Sequence, residues 1–314
     1  MEKILVTDAV HPLLLEGFSN AGYGCDYQPD ISLEQVQAEI QNYVGLIVNS
    51  KILADKKLID KAKKLRFIGR LGSGREVVDI PYAKSKGIEA FFSPEGNSNA
   101  VAEHALGMLL AFANNLLRAD HEVRQKNWQR EANRGWELRG KTIGIIGLGH
   151  TGKAFANKLK SMEMNLVAYD KYLDDFGTEY SFVKKINLEE LLEKVDIISF
   201  HLPLTSETKH FCNADFLKKC KPNAVLINTS RGNVVETKAL LEALKSGAIK
   251  GACLDVFENE KVQTFTSEEE KMYDELYQYP NVILSPHIAG WTKESKQLLA
   301  QILVDKILIF ENKK

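Results

Sequence analysis

Three ionisable residues, far apart in a chain of 314 residues, each follow an apolar run. Arg231 ends Asn228-Thr229-Ser230-Arg231 after the run AVLI, Glu260 comes shortly after Leu254-Asp255-Val256-Phe257, and His287 follows VILSP. In an open α/β protein such positions fall at the carboxyl ends of strands, the edge where ligands gather. Together the three side chains suit the reduction of a carbonyl beside a carboxylate. An imidazole can protonate a developing alkoxide near neutral pH. A carboxylate beside it raises its pKa and fixes its tautomer. A guanidinium can grip a carboxylate through two parallel hydrogen bonds and polarise the neighbouring carbonyl. Taken singly, Arg231 reads equally well as a helix cap or surface charge, Glu260 has Glu258 close by, and a lone histidine is commonly surface decoration. The chemistry is carried by the set.

Such a reaction needs a hydride carrier, and Lys141–Asp170 reads as its binding motif. The apolar run Ile143-Gly144-Ile145-Ile146 has the pattern of a buried strand. Gly147, Gly149 and Gly152 follow with the spacing G-x-G-x-x-G. An amphipathic segment then carries Ala154, Phe155, Leu159 and Met162, and a second apolar run, Leu166–Tyr169, ends in Asp170. Gly147 permits the tight turn, Gly149 lets backbone approach a pyrophosphate, and Gly152 lets helix and strand pack closely. The helix N-terminus offers N–H groups and the positive end of its dipole to phosphates. Asp170 suits the hydroxyls of an adenosine ribose and would repel a 2′-phosphate, which favours NAD over NADP. Lys171, Lys184 and Lys185 lie near enough to soften that preference. A glycine-rich turn alone is common in α/β proteins; strand, turn, helix, strand and acid in series make the dinucleotide reading specific.

The length suggests two domains. Hydrophobic residues at 44% and charged residues at 26% are ordinary for a globular enzyme. A formal charge of −1 gives no global field to attract nucleic acid or a membrane. Cys25, Cys212, Cys220 and Cys253 show no C-x-x-C spacing, so neither a metal site nor a disulfide framework is expected, and a reducing cytoplasm fits. MEKILVTDAV lacks the apolar core of a signal peptide, and no apolar run reaches membrane-spanning length.

The elements that must position these residues alternate. Strands are expected at 3–7, 45–48 and 66–70, with helices at 11–20, 32–42 and 55–64. This implies a parallel sheet flanked by helices. The loop Gly72-Ser73-Gly74 then lies at a carboxyl edge, where its backbone N–H groups can converge on an anion; a plain turn is the simpler reading of it alone. Residues 97–125 read as one helix of about 28 residues, spanning roughly 42 Å and bridging two domains. The stretch 128–139 is either an arm swapped onto a partner subunit or one packed on its own domain. Further helices are expected at 187–194, 213–219 and 237–246, with strands at 196–200, 224–228, 249–254 and 281–284. Residues 261–279 read as a charged, aromatic surface excursion. A last helix, 292–312, is expected to return to the first domain.

In series, KILVTD, GLIVNS, FIGRLGSG, NSNAVAEH, GLGHTG with Asp170, HLPLT, INTSRG, LDVFENE and SPHIAG resemble the D-isomer-specific 2-hydroxyacid dehydrogenases, nearly end to end and closest to the phosphoglycerate dehydrogenase-like branch. The resemblance implies two Rossmann-like doubly wound parallel-sheet domains with a cleft between them. A discontinuous substrate domain, residues 1–100 plus 290–314, would flank an NAD-binding domain, residues 101–289. It implies Arg231, Glu260 and His287 as catalytic residues. NAD would contact Gly147, Gly149, His150, Thr151, Gly152, Asp170, Thr229, Ser230, Arg231, Asp255, His287 and Gly290, with His201, Pro203 and Thr208 in the segment beside it. Asp255 would reach the nicotinamide amide. Arg70, Gly72, Ser73, Gly74, Arg231 and Trp291 would face the substrate, the Gly72–Gly74 backbone gripping its carboxylate. The family implies closure on a small 2-oxo or 2-hydroxy acid and a homodimer formed through the cofactor domain.

Departures from the family pattern bear on the substrate. Arg75 and Glu76 stand in the usual Asp and Asn neighbourhood, and Asn49 replaces an arginine, which weakens the case for a phosphorylated substrate; Arg70 remains, and Arg75 is placed to compensate. Lys261 replaces a proline after the catalytic glutamate. Trp291 replaces a small residue, so the pocket should be narrowed, reshaped or covered there. With nothing after residue 314, feedback through an appended regulatory domain is not expected. The leading expectation is an NAD-dependent D-2-hydroxyacid dehydrogenase, with hydroxypyruvate or glyoxylate reduction as a variant. An NAD(H)-sensing corepressor on the same fold is the rival from another class.

Overall fold

A computed structural model describes residues 1–313. The chain divides into two compact units, Met1–Ser98 with Trp291–Lys314, and Asn99–Gly290.

The first unit holds five parallel strands: β1 (Lys3–Val6), β2 (Gly24–Tyr27), β3 (Gly45–Val48), β4 (Phe67–Arg70) and β5 (Glu89–Phe92). Their order is β2-β1-β3-β4-β5. The middle strand GLIV is buried throughout, as a strand covered on both faces must be. One face packs on helix Lys293–Glu311, whose Leu303, Val304 and Ile307 share a core with Ile4, Phe18 and Phe67. That helix starts in a capping box between Thr292 and Ser295. Arg66, just before β4, closes the unit. Its guanidinium takes both carboxylate oxygens of Glu2, at 2.5 and 2.6 Å, and the carboxylate of Glu311, which also accepts from Tyr23 Oη. Both ends of the described chain are thereby tied to one cation.

The second unit is a seven-stranded parallel sheet: β6 (Thr142–Ile146), β7 (Asn165–Tyr169), β8 (Lys184–Lys185), β9 (Ile197–Phe200), β10 (Ala224–Asn228), β11 (Ile249–Leu254) and β12 (Val282–Leu284). The order β12-β11-β10-β9-β6-β7-β8 reverses between β6 and β9, the switch point at which dinucleotides bind in doubly wound sheets. The register is level at the carboxyl edge. Tyr169 pairs with Ile146, Ile146 with Phe200, Phe200 with Asn228, Asn228 with Leu254, and Leu254 with Leu284. Six loops therefore start abreast, at Asp170, Gly147, His201, Thr229, Asp255 and Ser285.

Two expectations are corrected. Residues 97–125 are not one helix. Ser98–Ala113 and Leu116–Arg124 meet at a 62° bend, where Asn115 takes a left-handed φ of 52°. The stretch after the bend folds back on its own unit, with Trp136 N–H donating to Ala113 O and Arg118 Nε to Asn133 Oδ1. Residues 261–279 are no mere surface excursion. Ser267–Tyr277 is a helix with a Thr266–Glu269 capping box, and it buries Tyr273 and Leu276 in the core of the unit. No single described helix is long and apolar enough to cross a membrane.

Replacing Arg66 with alanine leaves the Glu311 carboxylate, 8% exposed, without its cation. Arg66→Ala is expected to cost about 3 kcal/mol, read as a lower urea midpoint; a loss below about 0.5 kcal/mol, the size of an ordinary surface change, would contradict this account of how the unit closes.

Candidate active site

The glycine turn sits where β6 ends. Gly147 adopts φ +91°, and a Cβ there would lie 2.6 Å from His201 O. A Cβ on Gly152 would come within 2.1 Å of Gly147 O, so helix His150–Leu159 packs on the turn only because position 152 is glycine. Gly149 differs: a Cβ would meet nothing within 4 Å, so the backbone borders open space. No side chain caps the helix that begins there.

Asp170 is anchored. One carboxylate oxygen accepts the N–H of Leu148, and the other those of Tyr172 and Leu173. A carboxylate accepts about four hydrogen bonds, so room for a hydroxyl partner remains. A cavity of about 500 Å³ opens beside it, lined by Tyr169, Asp170, Lys171, Lys185, Ile186 and Asn187 among others. At the end of β10, Thr229 Oγ1 is buried without a hydrogen-bond partner among the described residues. The open approach at Gly149, the uncapped helix end, the remaining acceptor capacity of Asp170 and the orphaned hydroxyl fit a dinucleotide.

His201 is buried, its Nε2 against Ser199 Oγ at 2.9 Å and its Nδ1 against Thr151 Oγ1 at 3.3 Å. Burial pushes its pKa down to about 3, so the ring is neutral. Its backbone, not its ring, faces Gly147. Thr208 Oγ1 donates to Pro203 O at 2.6 Å and shapes the loop that follows. His150 is exposed and Gly290 half-buried.

Arg231, Glu260 and His287 come from the loops after β10, β11 and β12, three adjacent strands. His287 Nδ1 lies 2.8 Å from Glu260 Oε2. Donating its Nδ1–H to Glu260 raises the His287 pKa above the ordinary imidazole value, against partial burial and the Arg231 charge. Partial burial pushes the Glu260 carboxyl up, yet the His287 bond and charge, with Arg231 adding, hold it below the ordinary value. Glu258 does other work: it accepts from His210 Nε2 at 2.6 Å and from Thr237 N at 2.7 Å. The turn carrying Arg231 is shaped by Asn228, which accepts from Ser230 N and Oγ and donates to Arg231 O. A Cβ on Gly232 would come within 1.8 Å of Phe257 O, so that glycine lets the Arg231 and Glu260 loops touch. Neither Asn228 nor Gly232 stood out in the sequence, although both lie within INTSRG.

Asp255 has a different place from the one expected. Its side chain is buried and aimed at the loop after β12, which carries His287, rather than held out for a nicotinamide amide. Oδ1 accepts from Ser285 Oγ at 2.6 Å and Ile288 N at 2.9 Å, and Oδ2 from Ala289 N at 2.8 Å. His104 Nε2 meets Ser285 Oγ at 2.8 Å. This grip holds His287 at φ +57°, a conformation that costs a non-glycine residue about 1 kcal/mol or more.

In the first unit, Gly72 has φ +129° and the Arg70 guanidinium lies where its Cβ would be, 1.9 Å away. The Gly72 amide is corrected as an anion donor, since it faces Ser93 Oγ at 3.3 Å. The N–H groups of Ser73 and Gly74 donate to no described residue. Arg75 lies over the Phe92 ring at 5.5 Å, and Trp291 is 71% exposed.

Residues 106–289 match the family model for the D-isomer specific 2-hydroxyacid dehydrogenase, NAD binding domain. The chain is 33% identical over 306 residues to D-3-phosphoglycerate dehydrogenase of Archaeoglobus fulgidus, covering 98% of this chain and 56% of that protein. It thus spans about half the length of such relatives. It is 37% identical over 288 residues to glyoxylate reductase of Thermococcus litoralis, covering 89% of this chain and 83% of that one. A crystal structure of D-lactate dehydrogenase from Aquifex aeolicus, complexed with NAD and lactic acid, superposes with a TM-score of 0.85 at 27% identity, covering 99% and 96% of the two chains. With its glycine turn, its level row of loops and these matches, the chain belongs to the D-isomer specific 2-hydroxyacid dehydrogenases.

Proposed function

We propose that the protein is an NAD-dependent D-2-hydroxyacid dehydrogenase that interconverts a small 2-oxo acid and its D-2-hydroxy acid. The observation that carries this is the 2.8 Å contact between His287 Nδ1 and Glu260 Oε2 within reach of the Arg231 charge. Gly147, Gly149, Gly152, the first turn of the helix at His150 and Thr151, and Asp170 would hold the dinucleotide. Thr229, Ser230, Asp255 and Gly290 build the loops around it, and the 201–208 segment runs alongside. Bound NAD(H) supplies or accepts the hydride. The protein does the rest. Glu260 accepts the Nδ1–H of His287, which leaves Nε2 as the free base of the neutral ring; in the imidazolium Nε2 delivers its proton to the oxygen of the carbonyl under reduction. Arg231 binds the substrate carboxylate and draws charge from the carbonyl. In the first unit, the amides of Ser73 and Gly74 can donate to an anion. In the oxidative direction His287 starts neutral and takes the proton.

The substrate is a short 2-oxo acid. Uncharged Asn49 favours an unphosphorylated one such as glyoxylate or hydroxypyruvate, and the glyoxylate reductase relative, most of whose length this chain covers, supports that choice. Exposed Leu116, Leu117, Val123 and Trp128 support a homodimer through the NAD-binding unit. Four free thiols support a reducing cytoplasm.

NADH oxidation with glyoxylate, hydroxypyruvate, phosphohydroxypyruvate and 2-oxoglutarate tests the reading; turnover with none of these or a wider 2-oxo acid panel would overturn it. His287→Ala is expected to lower kcat about 10²- to 10⁴-fold while NADH affinity, read by fluorescence, stays within a few-fold. Equal loss of both would remove His287 from the proton transfer. A corepressor-like protein would show no useful rate in the parent chain.

Glu260→Gln removes what raises the His287 pKa, so His287 loses its proton at lower pH. The alkaline limb of the reductive kcat/KM profile should move toward acid. An unmoved limb would mean that Glu260 does not tune His287. In sedimentation velocity the chain should run as a dimer, and Leu117→Asp should yield monomer; a parent monomer would contradict the assembly.

A further inference from the structure

The two lysines nearest the ribose-binding acid are both engaged. Lys171 follows Asp170 directly, and its Nζ lies 2.5 Å from Glu207 Oε2. The same oxygen accepts from Tyr172 Oη at 2.9 Å. Lys185 lines the cavity beside Asp170, but its Nζ donates to Asp174 O at 2.9 Å and sits 3.9 Å from Asp174 Oδ1. Two of the three cations expected to soften the choice between dinucleotides, Lys171 and Lys185, are therefore committed within the protein.

Glu207 comes from the loop after β9, whereas Lys171 and Tyr172 belong to the loop after β7. Strand β6 lies between those two strands, and its loop is the glycine turn. The Glu207 carboxylate thus reaches from one side of the turn to the other and joins the loop that carries Asp170. Its charge matters as much as its contacts. A 2′-phosphate placed at Asp170 would meet one carboxylate there and find the neighbouring ammonium already neutralised by a second.

We propose that Glu207 is a specificity-determining residue, which withholds Lys171 from the 2′-phosphate of NADP(H) and thereby makes the site select NAD(H). The proposal rests on the dehydrogenase reading above and deepens it, since Asp170 alone repels a 2′-phosphate only as far as its neighbours leave that repulsion uncompensated. Lys171 binds a phosphate as a mobile point charge, so releasing it is sufficient to reverse part of the discrimination. The pair is solvent-exposed, with side-chain exposures of 55% and 54%, so the effect is modest.

The test is direct binding, without turnover. The full chain is titrated with NADH, NADPH and adenosine 2′,5′-bisphosphate by calorimetry or fluorescence, for the parent, Glu207→Gln and the double variant Glu207→Gln/Lys171→Met. Glu207→Gln should tighten NADPH and the bisphosphate about fivefold while NADH stays within twofold. The added Lys171→Met change should abolish that gain. The proposal is overturned if Glu207→Gln leaves the NADPH-to-NADH affinity ratio unchanged, or if the gain persists without Lys171. Failure of the parent chain to bind either dinucleotide would overturn the dehydrogenase reading itself, and this proposal with it.

Discussion

The Asp255 carboxylate is the interaction on which the active loop depends. It stands at the end of a central strand, is fully buried, and accepts three hydrogen bonds from the loop that carries His287. A buried carboxylate without donors would be costly; here Ser285 Oγ and the Ile288 and Ala289 amides supply them. The same bonds hold His287 in a left-handed conformation that its side chain disfavours. The imidazole is thereby aimed at Glu260, and that contact sets the imidazole pKa. Asp255 organises the backbone, and Glu260, five residues on, raises the imidazole pKa.

That arrangement is possible because the sheet ends level. Six strands finish in one row, so six loops begin abreast with little freedom to drift. Glycines then set how closely the loops approach. Gly152 lets the helix sit against the turn, and Gly232 lets the Arg231 and Glu260 loops meet, each at a distance that a Cβ would forbid. The segment after Glu260 contributes as well: Tyr273 Oη accepts the Asn259 N–H and fixes the peptide between Glu258 and Asn259. What looks like an insertion of charge and aromatic rings is a buttress for the loop.

Central strands were legible because both their faces are buried, which leaves a continuous apolar run. Gly45–Val48, Ala224–Asn228 and Ile249–Leu254 were read to the residue. Edge strands Gly24–Tyr27 and Glu89–Phe92 were not read, because each is only partly buried and carries polar residues. The bend at Asn115 depends on a left-handed residue that helical periodicity cannot report. Helix Ser267–Tyr277 buries only Tyr273 and Leu276, so its acidic first turn masked it. In the site, His287 could be chosen from residue type and its position after a strand, whereas Glu260 was separated from Glu258 only by its match to the family pattern. The inward aim of Asp255 could not be read, because its partners lie some thirty residues on, in a loop whose path exists only once folded.

The most direct measurement is the configuration of the product. Incubation with NADH and each responsive 2-oxo acid whose product is chiral, followed by chiral separation, should give the D-2-hydroxy acid, with one NADH oxidised per molecule formed. An L or racemic product, or NADH oxidation uncoupled from hydroxy acid, would contradict the account.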